Sequence, residues 1–376
     1  MTIIKNKKIQ KLLITLLAAA AVTLLIAAGI LKRIDSWMQD AIYQQPAYED
    51  RIVVIGIDES AFERLGAYQT WDRSIMASAL EKIAEADPDE RPAVVAIDTL
   101  YTGETDPAAD ERLAKAAEEL GNVVTAGSAL IGTVAEEDEN GNFRFNYYKV
   151  LQYDESYDAL KKVTKVGHIN AMYDTDAVLR HALLYVDTEG DYGDNGRVYS
   201  MAYETAKEYL KSIGESIVLP KTDAHGNFYV SYVGGPGAFY DHVSIADLIE
   251  GTVSSDYFDD KILFIGPYAV GLQDQYFTPI DRARQMYGVE FQANVVRTLI
   301  DADYKKEVSK GLQVLLLFLI SFGAFWVFES VSLKKSGCIG AGLIIVSIAG
   351  DYIAYKAGLI AHRILSLPPL RSPMQS

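Results

Sequence analysis

Asp58 and Asp98 each end a short β-branched run, Arg51-Ile-Val-Val-Ile-Gly-Ile-Asp58 and Ala93-Val-Val-Ala-Ile-Asp98. Carboxylates at the carboxyl edge of a parallel sheet are placed to hold a divalent cation or to pair with a cationic ligand. The plainer and expected role of each is to cap the turn or helix that follows. Trp71 and Arg73 come soon after the first run. Arg73 offers a clamp for an anionic ligand or a salt bridge to Asp58 or Asp98, and the salt bridge is the expectation. Gly234-Gly235-Pro236-Gly237 brings backbone close to whatever lies opposite, because glycine tolerates tight approach. It is no phosphate loop, since no Gly-Lys-Ser/Thr follows and Pro236 removes a donor, so a structural turn is expected. Gly266 ends a third apolar run, Lys261-Ile-Leu-Phe-Ile-Gly266, and Asp274 lies in the loop beyond, where both can line the same cleft. Glu290 and Asn294, four residues apart, share a helical face and are expected to anchor that helix to the sheet and relay a shift.

Nucleophilic catalysis needs a base and an orienting group beside the nucleophile. Ser60 and Ser244 lack a Gly-x-Ser-x-Gly elbow, and His168, His181 and His242 are scattered, so each reads as a surface or packing residue. No Cys or His cluster has metal-ligand spacing, so no metal and no cofactor are expected.

These residues depend on an alternation of strands and helices. The runs at 51–58, 93–98, 122–127 and 261–266 read as strands buried on both faces of a parallel sheet. Helical periodicity spans 72–86, 110–120, 198–213 and 289–300, and Gly121 stands where a C-cap belongs. Residues 133–230 are less regular, with an exposed loop at 136–142 and a strand at 183–186. The expected fold class is α/β, a mostly parallel sheet with flanking helices, in one domain with an insertion. The late strand at 261–266 is expected to join the same sheet as the first three.

Three apolar segments frame that domain, at 12–31, 312–333 and 336–361. The first is twenty residues without a charge, enough to cross a hydrocarbon core of about 30 Å at about 1.5 Å per residue. It exceeds the apolar core of a cleaved signal peptide and reads as an uncleaved anchor. Lys5, Lys7, Lys8 and Lys11 before it, with Lys334 and Lys335 between the other two, place those points in the cytoplasm. Lys32 and Arg33 argue weakly against. Residues 34–310 then lie outside, carrying 24 basic and 49 acidic residues, a net charge of −25. Such a surface excludes nucleic acid as a partner and suits a solvated domain. The one cysteine, Cys338, falls in the third apolar segment, so the outer domain contains no disulfide. Asp351 and Lys356 in that segment come near its outer end, where Lys can snorkel.

Several patterns in fixed order carry a resemblance: Ile52-Val-Val-Ile-Gly-Ile-Asp58-Glu-Ser, Trp71-Asp-Arg73-Ser, Val94-Val-Ala-Ile-Asp98-Thr-Leu-Tyr, and Asp110-Glu-Arg-Leu-Ala-Lys-Ala before Gly121-Asn-Val-Val. Gly167-His-Ile-Asn170, Asp174-Thr-Asp176 with Arg180, Gly234-Gly-Pro-Gly-Ala-Phe239, Leu272-Gln-Asp274, Thr278-Pro279 and Gly288-Val-Glu-Phe-Gln-Ala-Asn294 continue it. Together they resemble the CHASE domain of the second type, a sensory extracellular domain associated with cyclases and histidine kinases, over about residues 35–360. The resemblance implies the input half of a bacterial transmembrane receptor whose outputs include nucleotide cyclases and kinases. That family places three membrane helices after its sensor. Here two are found, and the tail at 362–376 carries prolines and basic residues where a third belongs. The expectation is a receptor truncated before its effector, without a catalytic domain. It binds an unidentified small molecule or ion, sits in the lipid bilayer and works as a homodimer. The alternatives are a stand-alone membrane-anchored binding subunit and, further off, an extracytoplasmic α/β enzyme.

Overall fold

The structure, a computed structural model, describes residues 7–28, 32–43, 47, 49–137, 141, 143–174, 176–188, 192–193, 196–254, 257–328 and 330–360. Two compact units divide the chain: one holds residues 1–44 and 305–376, the other residues 45–304.

Helices α1 (Lys7–Ala27) and α2 (Lys32–Tyr43) belong to the first unit. In the second, β1 (Ile52–Ile57), α3 (Glu59–Leu65), α4 (Ser74–Ala84), β2 (Val94–Leu100), α5 (Pro107–Leu120) and β3 (Val123–Glu137) follow in turn. Next come β4 (Phe143–Asp154), α6 (Asp158–Val163), β5 (Lys165–His168), β6 (His181–Leu183), β7 (Tyr185–Asp187) and β8 (Arg197–Tyr199). Helix α7 (Met201–Ser212), β9 (Asn227–Tyr229), α8 (Ile245–Ile249), β10 (Ile262–Pro267), β11 (Gln275–Thr278), β12 (Asp281–Tyr287) and α9 (Gly288–Ile300) complete it. The first unit resumes with β13 (Lys306–Glu307), α10 (Lys310–Phe328), α11 (Leu333–Lys356) and β14 (Leu359–Ile360).

The main sheet runs β1-β10-β2-β3, with β5 and β4 both on β3. Pairings among β1, β10, β2, β3 and β5 are parallel, and β4 is antiparallel. The late strand β10 therefore joins the same sheet, as expected, and lies between β1 and β2. Strand periodicity of two sends alternate side chains to opposite faces. Val53, Ile55 and Ile57 meet α4, α5, α6 and α8 on one side, and Ile52 and Val54 meet α7 and α9 on the other. Residues 52–57 of β1, 94–97 of β2 and 262–266 of β10 are buried on both faces, so they are apolar throughout.

The expected helices at 72–86, 110–120 and 289–300 form as α4, α5 and α9, and Gly121 adopts the left-handed conformation that ends α5. Other expectations are corrected. The segment after residue 133 is not irregular, because β3 continues to Glu137 as a ribbon with β4. Residues 136 and 137 belong to that strand, whereas 138–140 and 142 lie outside the described residues. Residues 183–186 form no single strand: Leu183 ends β6, which pairs with β9, and Tyr185 begins β7, which pairs with β8. The helix expected from Val198 starts only at Met201, after β8, where the Ser200 side chain accepts from the Tyr203 N–H.

Gly167 of β5 packs directly on the start of α7. A Cβ there would stand 2.5 Å from Met201 N and 2.6 Å from Ser200 C, both backbone atoms that cannot swing aside. Gly167→Ala is expected to cost about 1–3 kcal/mol by overpacking. Thermal unfolding measures it, and an unchanged midpoint would refute the close approach.

In the first unit, α1 packs against α10, with Lys11 Nζ 2.9 Å from Ser330 Oγ and 4.9 Å above the Trp326 ring. Three helices, at Lys8–Ala27, Gly311–Phe328 and Lys334–Lys356, are long and apolar enough to cross a membrane. Their outer faces carry bare apolar side chains, such as Leu17 at 69% and Val346 at 68% exposure. The tail at 362–376 lies outside the described residues.

Candidate functional site

The carboxyl ends of the parallel strands β1, β10 and β2 lie side by side on one edge of the sheet. Crevices at such edges are where open α/β sheets bind ligands. A cavity of about 390 Å³ opens there on the α4/α5 face. Tyr68, Trp71 and Tyr101 are its aromatic walls, and Ile57, Met76 and Ile245 supply apolar lining. That volume falls within the range of small-molecule sites, roughly 300–1,000 Å³.

Short local interactions place the walls. Tyr68 lies on a single 3-10 turn, Tyr68–Thr70, after α3. The Trp71 indole N–H donates to the Gly66 carbonyl at 2.8 Å, and its ring meets those of Phe62 and Tyr68 at 6.0 and 5.3 Å. Tyr101 follows β2 directly; burial raises its hydroxyl pKa beyond the phenol range, so it remains a neutral donor and acceptor.

Arg73 is buried, and its partner is neither Asp58 nor Asp98. Its Nη1 donates to Asp110 Oδ1 at 2.7 Å, and Nη2 donates to the carbonyls of Thr102 and Gly103 at 3.1 and 2.6 Å. The guanidinium also lies 4.1 Å over the Tyr157 ring. Asp110 further accepts from the Thr105 N–H at 2.8 Å and hydroxyl at 2.9 Å. Burial penalises its charge, but these bonds and Arg73 outweigh that and hold its carboxyl below the ordinary range. Arg73 thus ties the 102–105 loop, part of the cavity wall, to α5. A salt bridge forms, but not the expected one to Asp58 or Asp98. Asp110 sits on the first turn of α5, where an acid is ordinarily read as a complement to the helix dipole.

Asp58 caps α3, as expected, accepting from the Ala61 N–H at 2.9 Å. It also takes the Tyr240 and Ser244 hydroxyls, both at 2.6 Å, two partners the sequence reading missed. Asp98 caps nothing. It turns to the opposite face of the sheet, toward α9, and lies beside Asp274. Burial first, and the Asp274 carboxylate second, push its pKa up to about 8. Burial also raises Asp274, against the hydrogen bond from Tyr276. Gly266 is where β10 meets both Asp98 and α9, since a Cβ there would lie 2.9 Å from Asp98 Cβ and 3.1 Å from Val289 Cβ.

Glu290 and Asn294 tie α9 to the 233–237 segment, not, as expected, to the sheet. Glu290 Oε1 accepts from the Gly237 N–H at 2.8 Å, and Asn294 Oδ1 accepts from the N–H groups of Val233 and Gly234 at 3.0 and 3.1 Å. Burial raises the Glu290 pKa to about 7, against the N–H groups of Gly237 and Phe239 and the Tyr268 hydroxyl. The Gly234–Gly237 segment is thus the structural turn expected: Gly235 O accepts from Ala238 N–H at 3.0 Å, and Pro236 stands half-buried between them. The structure therefore brings Asp98, Gly266 and Asp274 together, groups Glu290 and Asn294 with the glycine turn, and sets Trp71 and Arg73 in the cavity on the other face.

His168 is fully buried with neither ring nitrogen bonded, and burial lowers its pKa to about 3. His181 Nδ1 lies 2.9 Å from Asp174 Oδ1, in a cluster where Asp174 and Asp176 both bind Arg180.

A family model described as CHASE2 domain matches residues 16–327. No curated protein and no solved structure matches this chain.

Proposed function

Since the chain belongs to the CHASE2 domain family, a family of sensory domains, we propose that residues 45–304 are the ligand-binding input of a membrane-anchored receptor. The carrying observation is the aromatic cavity at the carboxyl ends of β1 and β2. Among the described residues its only basic group is Arg73, whose guanidinium already binds Asp110 and two carbonyls, which disfavours an anionic ligand. What it offers are aromatic faces, tyrosine and threonine hydroxyls and the rim carboxylates Asp72 and Asp106. The ligand is therefore a small, partly apolar molecule, neutral or cationic. The three apolar helices and the lysines beside them support an anchor with the domain outside the cytoplasm, as does its net charge of −25. The chain acts as a homodimer and feeds a cyclase or kinase output.

The test uses the full chain in detergent micelles, screened by thermal shift against a panel of neutral and cationic metabolites. A ligand that raises the midpoint, with affinity weakened at least tenfold in Tyr101→Ala, is the expected result. Binding unaffected by Tyr101→Ala and Trp71→Leu would sink the cavity assignment. Steady turnover of any substrate, lost in Asp58→Ala, would overturn the non-enzymatic reading.

A further inference from the structure

The other face of the same edge holds carboxyl groups that ligand binding in the cavity does not use. Asp98 is only 5% exposed, and among the described residues no hydrogen bond or ion pair reaches its carboxyl. A Cβ on Gly288 would fall 2.1 Å from Asp274 Oδ2, and the Gly288 N–H donates to the Asp274 carbonyl at 3.0 Å. Gly288 and Val289 are the first residues of α9, so Asp98 and Asp274 both press on a single turn. Two neighbouring carboxylates in a buried site cannot both ionise cheaply. A helix N-terminus favours one negative charge beside it, not a mutually repelling pair.

We propose that the domain senses protons as well as a ligand, through a proton held on Asp98 beside Asp274 that keeps the first turn of α9 seated on the sheet edge. Asp98 is the protonated member, because the Tyr276 hydroxyl bonds to Asp274 and favours its charged form. The titratable groups that face the pair are neutral phenols, Tyr276 from β11 and Tyr173 from the 169–174 segment. Among the described residues no basic side chain pairs with Asp98, Asp274 or Glu290. The raised carboxyl pKa fixes the sign. The folded state binds the extra proton, so its stabilisation is complete below the unfolded carboxylate value near 4 and is lost as pH rises through about 8. Beyond that both carboxyls ionise and repel across the turn.

The experiment is thermal unfolding of the full chain in detergent from pH 5 to 9.5, beside Asp98→Asn and Asp274→Asn. The wild-type midpoint should fall with rising pH by roughly 3–5 °C per unit more than that of Asp98→Asn, whose amide keeps a donor but does not titrate. Parallel curves for wild type and Asp98→Asn overturn the proposal. So does a midpoint at pH 9 raised by Ca²⁺ or Mg²⁺ in wild type but not in Asp98→Asn, which would assign the pair to a cation. Should Asp98→Asn fail to fold, Asp274→Asn and the infrared carboxylic-acid band of the wild type decide. A band present at pH 7 and lost by pH 9.5, whose loss moves to lower pH in Asp274→Asn, supports the proton on Asp98, and no such band at pH 7 refutes it.

Discussion

Replacing Arg73 with alanine is expected to destabilise the 45–304 domain by about 3–5 kcal/mol, the penalty for removing one partner of a buried ion pair. Asp110 would stay 5% exposed with its charge uncompensated, and the Thr102 and Gly103 carbonyls would lose their donor. Arg73→Lys is expected to recover little, because an ammonium cannot span Asp110 and two carbonyls with a planar fork. Arg73→Met with Asp110→Leu should lose less than Arg73→Ala alone, since no charge is then left buried. Chemical denaturation of the full chain in detergent measures all three. A loss under about 1 kcal/mol for Arg73→Ala would mean that Asp110 finds water once Arg73 is gone, and the tethered loop would then be no wall at all.

Asn294→Ala is the second large effect, expected at about 2–5 kcal/mol. The Asn294 amide accepts from two backbone N–H groups and donates from Nδ2 to the Gly234 and Glu290 carbonyls at 3.1 and 3.0 Å. Alanine leaves the Val233 and Gly234 N–H groups buried without acceptors, at about 1–3 kcal/mol for each orphaned donor. Asn294→Asp keeps the acceptor but loses the donor and buries a charge, so it should not rescue the loss. Hydrogen exchange at Val233 and Gly234 reports the effect locally. Protection unchanged in Asn294→Ala would show that water has entered and replaced the side chain.

What was legible in the sequence follows from which signals are local. The runs at 52–57, 94–97 and 262–266 are apolar at every position because both faces are covered, and that pattern survives any tertiary detail. The Asp58 cap was readable for the same reason, its donor, the Ala61 N–H, lying three residues away. The ribbon of β3 and β4 was not readable. Its register shifts between Leu130 and Ile131 and again between Gly132 and Val134, which breaks the period of two. β6 and β7 are three residues each, too short for any period to show. Partners far apart in the chain were beyond reach as well. Nothing near Arg73 says that the first turn of α5 will place Asp110 against it, and nothing near Asp98 says that Asp274 will be its neighbour. The cavity depends on Tyr101 being held by a loop whose tether is that unseen ion pair.

The position of β10 between β1 and β2 has a consequence for synthesis. Ile52 pairs with Ile262, and Val94 pairs with Ile262 from the other side. The strand that joins them thus leaves the ribosome about 210 residues after the first. At roughly 5–20 residues per second that is a delay of about 10–40 s. During that interval β1 and the facing edge of β2 lack the strand that joins them, and each offers an apolar edge on which other chains can pair.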